Sequence, residues 1–282
     1  MSTEPRYIDV NGVQLAVYEQ PGDDPPILYA HATGFHARCW NQVIGRVLGR
    51  RSIAVDMRGH GLSSKPDPPY TWSSFGEDVA ALAQLLGLQG ATGVGHSMGG
   101  HSLVLAASIV PDAFAELILL DPVIMPRSRY QSRRTEPHFA RKRRNEWPSP
   151  DEMFERFNGR PPFNSWDPAV LRDYCDYGLV PAPMGYVLAC PPEIEASIYE
   201  ASGLDDANLY GKLETIDAAV TVVRSARRMG EGGPAVDMGA SPTAPDLAAQ
   251  FRRGRDVATS YSHFIPMEAP QFVAGFICAR SA

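Results

Sequence analysis

The chain has 282 residues and is short of several things. It has four cysteines, Cys39, Cys175, Cys190 and Cys278, far apart and with no Cys-x-x-Cys pair. Neither a disulfide framework nor a structural zinc site is expected, and the four read as free, buried thiols in a reducing compartment. No stretch approaches the ~20 apolar residues that a membrane helix needs. Residues 1–7 lack the apolar core of a signal peptide, so a cytoplasmic protein with no membrane partner is expected. A basic excess is also missing: 26 Lys+Arg stand against 32 Asp+Glu, a net charge of −6, which argues against nucleic acid as a partner. Hydrophobic residues at 44% and charged residues at 21% exclude a disordered or fibrous chain. No repeat or low-complexity segment is visible. Glycine and proline, by contrast, number 25 each, pointing to many tight turns and at least one irregular segment.

Residues 7–20 read as two strands around Asn11-Gly12, a preferred hairpin turn. Short apolar runs follow at 27–30, 52–55, 91–94, 117–120 and 219–223, each of the kind found in buried parallel strands. Between them lie helical patterns. Phe75, Val79, Leu82 and Leu86 are spaced by threes and fours, and residues 97–110 are rich in small and aliphatic side chains. Alternating strand and helix predicts an α/β fold, a mostly parallel sheet with helices on both faces. Ligands of such sheets bind at the carboxyl ends of the strands. Residues 123–215 break the rhythm. Eight of the 26 basic residues fall between Arg127 and Arg144, and the aromatics Trp147, Phe154, Phe157, Phe163, Trp166, Tyr174, Tyr177 and Tyr186 come after them. This segment is expected to be a mainly helical insertion over the carboxyl edge of the sheet. Its aromatics would pack its own core and contribute to an apolar pocket, and its basic cluster would form a solvated face.

The strongest chemical signal is Gly95-His96-Ser97-Met98-Gly99, between a buried strand and a helix. A sharp strand-to-helix turn strains the Ser97 backbone, requires glycine where a side chain would collide, and exposes Oγ at a helix N-terminus. A serine hydroxyl is a weak nucleophile at neutral pH and needs a base.

Here the chain resembles the α/β-hydrolase superfamily, along nearly its whole length. His31-Ala32-Thr33-Gly34-Phe35 is similar to the family's His-Gly oxyanion loop. Asp56-Met57-Arg58-Gly59-His60-Gly61-Leu62-Ser63 is similar to its D-x-R-G-H-G-x-S turn. Gly95 to Gly99 is similar to its nucleophile elbow, and Ser262-His263-Phe264-Ile265-Pro266-Met267-Glu268-Ala269-Pro270 to its late G-H-F-x-x-x-E-x-P segment. Ala32 and Ser262 depart from the usual glycines, and Ala32 would narrow the oxyanion loop. The resemblance implies an eight-stranded sheet, with residues 1–122 and 216–282 as one core domain and 123–215 as an inserted cap. It also implies a Ser, acid, His order. Ser97 is then the nucleophile and His263 the base, while His31 and His60 fall in loop-positioning motifs.

The acid is open. The usual turn after the seventh strand reads Ser225-Ala226-Arg227-Arg228 and has none. Asp121, at the end of the sixth strand, is favoured. Asp237 is the alternative, and Glu231 is a further acid in the same Gly-rich loop. Backbone N–H groups of Thr33 and Met98 would form the oxyanion hole. Phe35 and Trp40 are expected to line the acyl side of the pocket, with His31 counted among the substrate-facing residues.

The expected activity is hydrolysis of an ester, thioester or lactone of a small, partly apolar molecule through an acyl-enzyme. It would need no metal and no organic cofactor. Relatives that keep the triad and change the reaction include C–C bond hydrolases, hydroxynitrile lyases and cofactor-free haloperoxidases. A non-catalytic ligand-binding relative is a further alternative. Dehalogenases and epoxide hydrolases are disfavoured, because they carry Asp where this chain has Ser97. A small-molecule substrate is the expected partner, and a homodimer is compatible with all of these features.

Overall fold

Asn11 and Gly12 have φ angles of 45° and 76°, the left-handed pair that a type I′ turn requires. They join β1 (Arg6–Val10) to β2 (Val13–Gln20), with Val10 paired to Val13. The computed structural model describes residues 1–130, 137–227 and 239–279. The apolar runs become β3 (Asp23–Ala30), β4 (Arg50–Val55), β5 (Ala91–His96) and β6 (Phe114–Leu120). Three short strands follow, β7 (Glu146–Trp147), β8 (Leu179–Ala182) and β9 (Gly185–Leu188), and then β10 (Ala219–Ser225) and β11 (Gly254–Thr259).

Eight of these strands form one sheet in the order β1-β2-β4-β3-β5-β6-β10-β11. β2 runs antiparallel to β1 and β4, and the other pairs are parallel. This is the expected fold class, a mostly parallel eight-stranded sheet. The last strand, Gly-Arg-Asp-Val-Ala-Thr, shows no apolar run because it is an edge strand with one neighbour and no fully buried residue. From β3 the chain moves outward to β4 and returns on the other side of β3 as β5. The reversal opens a crevice at the carboxyl ends of β3 and β5.

Side chains alternate between the two faces of the sheet, as a pleated strand dictates. Leu117 and Leu119 join a cluster with Leu28, Ile53, Phe75, Val79, Leu82 and Leu103. Ile118 and Leu120 join the opposite cluster with Tyr29, Ala54, Val43, Ile44, Val273 and Ile277. The covering helices are α1 (Asn41–Ile44), α2 (Trp72–Leu85) and α3 (Met98–Ile109), and, near the end of the chain, a further pair described below.

Between β6 and β10 lie α4 (Pro150–Phe157), α5 (Pro168–Tyr177) and α6 (Pro192–Ala201). Two of these starts follow directly from sequence. Ser149 accepts from the Glu152 N–H at 3.1 Å and Asp167 from the Ala169 N–H at 2.8 Å, each with proline as the first helical residue. The same segment holds a three-stranded antiparallel sheet, β7-β9-β8. That sheet adds to the mainly helical expectation, and its strands of two to four residues are too short to leave a periodic signal. The insertion's aromatics do not pack only on one another. Trp147, Trp166 and Tyr174 share one cluster with Phe35, Cys39, Phe264 and Met267 of the remaining chain.

The chain closes with α7 (Ile265–Glu268) and α8 (Pro270–Cys278), the pair that completes the second face. Cys39, Cys175 and Cys190 are buried free thiols, as expected; Cys278, in the last turn of α8, is exposed instead. No helix among the described residues is long and apolar enough to cross a membrane.

Candidate active site

Ser97 stands between β5 and α3 with φ 56° and ψ −115°, a conformation costing a non-glycine residue of order 1–3 kcal/mol. The surroundings impose it. The Ser97 N–H donates to the Leu120 carbonyl at 3.0 Å, and the Ser97 carbonyl accepts from the N–H groups of Gly100 and Val123 at 3.1 Å each. A Cβ on Gly95 would stand 2.6 Å from the Gly99 carbonyl oxygen, and one on Gly99 would strike the Ala30 carbonyl. The two elbow glycines therefore let β5, α3 and the end of β3 meet.

His263, in the loop between β11 and α7, reaches this turn. Its Nε2 lies 3.1 Å from Ser97 Oγ, and its Nδ1 lies 2.6 Å from Oδ2 of Asp121. Asp121 is fully buried and itself has a positive φ of 45°. Its other oxygen, Oδ1, accepts from the Ser225 N–H at 3.1 Å and the Ser241 hydroxyl at 2.6 Å. The backbone of His263 is held on both sides. Its N–H donates to the Gly239 carbonyl at 2.8 Å, and its carbonyl accepts from His96 Nε2 at 2.9 Å. Ser262, where glycine was expected, donates its N–H and hydroxyl to Glu268 at 2.9 and 2.6 Å, which anchors the histidine loop to α7. The structure thus brings Ser97, His263 and Asp121 into one hydrogen-bonded line. Asp237 and Glu231 lie outside the described residues.

The loop after β3 packs on the elbow, with the Thr33 hydroxyl 3.3 Å from Met98 Sδ. Among the described residues, no acceptor takes the backbone N–H of Thr33 or of Met98. Two buried histidines brace this loop. His31 Nδ1 donates to the Ala32 carbonyl at 2.7 Å, and its Nε2 accepts from the Met57 N–H at 2.9 Å. His60 Nε2 accepts from the Gly34 N–H at 3.0 Å. Burial pushes the His31 ring well below the ordinary imidazole range and His60 to about 4, so both stay neutral acceptors. The His31 expectation is corrected here: both of its nitrogens are spent on backbone and the ring is 1% exposed, leaving nothing to offer a substrate. Trp40 is corrected too. It is fully buried against Tyr29, in the cluster beneath the sheet with α1 and α8, away from the crevice. Phe35 does face the insertion, with ring centroids 5.3 Å from Tyr174, 5.6 Å from Trp166 and 6.0 Å from His96.

The alpha/beta hydrolase family model matches residues 27–276. The chain belongs to that family. It is 34% identical over 117 residues to a 2-(acetamidomethylene)succinate hydrolase of Mesorhizobium japonicum, covering 41% of this chain and 42% of that one. It is 36% identical over 106 residues to a non-heme chloroperoxidase of Streptomyces lividans, covering 36% and 38%. The matched region is thus about two fifths of the length of these curated relatives. A crystal structure of E-2-(acetamidomethylene)succinate hydrolase superposes with a TM-score of 0.79 over 99% of both chains at 21% identity, a likeness of fold.

In the insertion's basic cluster Arg127, Arg129, Arg141, Lys142 and Arg144 are exposed, as a solvated face requires, while Arg143 is half-buried. Arg141 pairs with Glu200 at 2.7 Å, and Arg144 pairs with Glu152 at 2.7 Å while lying over the Trp147 ring. Arg143 pairs with the buried Glu195 and donates to the Tyr174 hydroxyl at 3.0 Å. This pair sits on the loop after β3: a Cβ on Gly34 would stand 2.9 Å from Glu195 Oε1. Arg133 and Arg134 lie outside the described residues. Ser241, His96 and the Arg143–Glu195 pair were not singled out from sequence. A lone serine 22 residues before the histidine leaves no pattern, and only the folded chain sets its hydroxyl against Asp121.

Proposed function

We propose that this member of the alpha/beta hydrolase family is a serine hydrolase. It cleaves an ester, thioester or lactone of a small, partly apolar molecule. One observation carries the reading, the unbroken hydrogen-bonded line from Ser97 Oγ through His263 to Asp121. In this reading Ser97 Oγ attacks the carbonyl carbon while its proton passes to His263 Nε2, and Asp121 stabilises the imidazolium from Nδ1. The Thr33 and Met98 N–H groups take up the oxyanion, each contributing roughly 3 kcal/mol. Collapse of the intermediate breaks the bond to the leaving group, which takes the proton from Nε2. Water, deprotonated by the same nitrogen, then attacks the acyl-enzyme, releasing the acid and restoring Ser97. The chemistry draws on no metal and no organic cofactor. Residues 123–215 serve as the cap, and the aromatic cluster around Phe35 forms the apolar wall of the pocket. The proposed compartment is the cytoplasm.

The test is Ser97→Ala. It should abolish turnover of p-nitrophenyl esters and labelling by a fluorophosphonate, with Tm nearly unchanged. Turnover retained by a folded variant would sink the proposal. The similarity to a non-heme chloroperoxidase of Streptomyces lividans supports a second reading, in which the same three side chains serve a reaction other than ester hydrolysis. A panel of chromogenic esters run beside cyanohydrins, dienones and a halogenation assay separates the two.

A further inference from the structure

We propose that Ser241 is a positioning residue, whose hydroxyl holds Oδ1 of Asp121 so that Oδ2 stays turned toward His263. The inference rests on the Ser97–His263–Asp121 reading above and extends it to a residue outside that line. Asp121 is a fully buried carboxylate, and a buried carboxylate needs its lone pairs met by donors. Oδ2 has His263 Nδ1 at 2.6 Å. Oδ1 has three neighbours: Ser241 Oγ at 2.6 Å, the Ser225 N–H at 3.1 Å and Thr243 Oγ1 at 3.2 Å. Thr243 carries a single hydroxyl proton and lies closer to the Pro122 carbonyl, at 2.7 Å. Ser241 is therefore the shortest and the dedicated hydroxyl donor. Its own oxygen is aligned by the Thr243 N–H at 3.2 Å, and its backbone N–H is anchored to the Arg227 carbonyl at 2.8 Å.

The same loop also holds the base. Gly239, two residues before Ser241, accepts the His263 N–H at 2.8 Å. Residues 239–243 thus fix both the acid and the histidine. At the end of β10 the Ser225 N–H adds a backbone donor to the same oxygen. Removing the Ser241 hydroxyl would leave Oδ1 with less hydrogen bonding, so that the carboxylate binds the His263 proton more tightly. Among the described residues, the other titratable or charged groups facing the pair are His96, whose ring centroid is 5.0 Å from that of His263, and Arg224, which acts on Asp121 electrostatically while paired with Asp256. Neither is altered by a change at 241.

The experiment follows kcat/KM for p-nitrophenyl butyrate, and the rate of fluorophosphonate labelling, from pH 5 to 9 in the full chain. In S241A the acid limb of both profiles should move up by about one pH unit, so that the rate at pH 6 falls several-fold while Tm changes little. S241T, which restores a hydroxyl, should move the limb back. An S241A limb that superimposes on the parent's overturns the positioning role. If S241A does not fold, S241C carries the same expectation, since a thiol is a weak donor. Ser97→Ala is run alongside. Turnover retained by S97A overturns the triad reading and this inference with it, whereas an inactive S97A with an unmoved S241A limb overturns the positioning role alone.

Discussion

Lowering the pH from 7.5 to 5 should strip this protein of much of its stability, through rings that take no part in the proposed chemistry. Five histidines, His31, His36, His60, His96 and His101, are at most 2% exposed. Burial is the main cause that holds each ring below the ordinary imidazole range, and it takes His36, His60 and His101 to about 4. A histidine with a folded pKa below its unfolded value of about 6.5 takes up its proton on unfolding. Its contribution is complete above pH 6.5 and is lost as pH falls toward 4. A displacement from about 6.5 to about 4 amounts to ~3 kcal/mol per ring once the window is crossed, and about 2 kcal/mol by pH 5. The three rings together withdraw about 6 kcal/mol between pH 7.5 and 5, comparable to the 5–15 kcal/mol that holds a typical domain folded. Asp56 and Glu195, whose carboxyls burial pushes upward, work in the opposite direction and trim the loss. Urea unfolding at pH 7.5 and 5 measures the difference, and His101→Gln isolates one ring. His101 donates from Nε2 to the Ala207 carbonyl at 2.9 Å and lies edge-on to Trp72 at 4.8 Å. Glutamine keeps a donor and cannot be protonated, so the variant should recover about 2 kcal/mol of the acid-induced loss. Equal losses in the parent and the variant would refute the reasoning.

Two further outcomes follow from burial. Trp40→Ala should lose about 3–5 kcal/mol in urea unfolding with KM for p-nitrophenyl butyrate unchanged, and a raised KM at unchanged stability would return Trp40 to the pocket. Arg58 grips Asp78 through two contacts of 2.6 Å, and the Asp78 side chain is 2% exposed. Arg58→Met leaves that carboxylate with the Asn11 amide at 3.1 Å and no cation and should cost about 3–5 kcal/mol, most of it regained on adding Asp78→Asn; a loss under about 1 kcal/mol would place the pair among weak surface bridges.

The sheet was legible wherever burial writes a local pattern. Seven of its eight strands are two-sided apolar runs or the two arms of the Asn11-Gly12 hairpin, and α2 declares itself by Phe75, Val79 and Leu82. β11 and the small β7-β9-β8 sheet were not legible, because an exposed edge and strands of two to four residues carry no periodicity. At the site, Ser97 was marked by its glycines, whose necessity is a local steric fact. Asp121 was only one of the acids weighed, since nothing in its neighbours distinguishes a catalytic carboxylate from a strand-ending one. Phe35 and Trp40 looked alike in sequence, five residues apart, yet one faces the crevice and the other lies under the sheet. His31 read as substrate-facing until both its nitrogens were found on backbone.

The sequence by itself determined the fold class, the elbow and the order of Ser97 and His263. Strand runs and tight turns are set by interactions between residues close along the chain. Only the tertiary structure decided that Asp121 faces His263, that Ser241 holds its other oxygen and that Arg143 and Glu195 close over Gly34. Those contacts join residues from 52 to 161 positions apart, and contacts of such span exist only once folding has brought the strand ends and the insertion together.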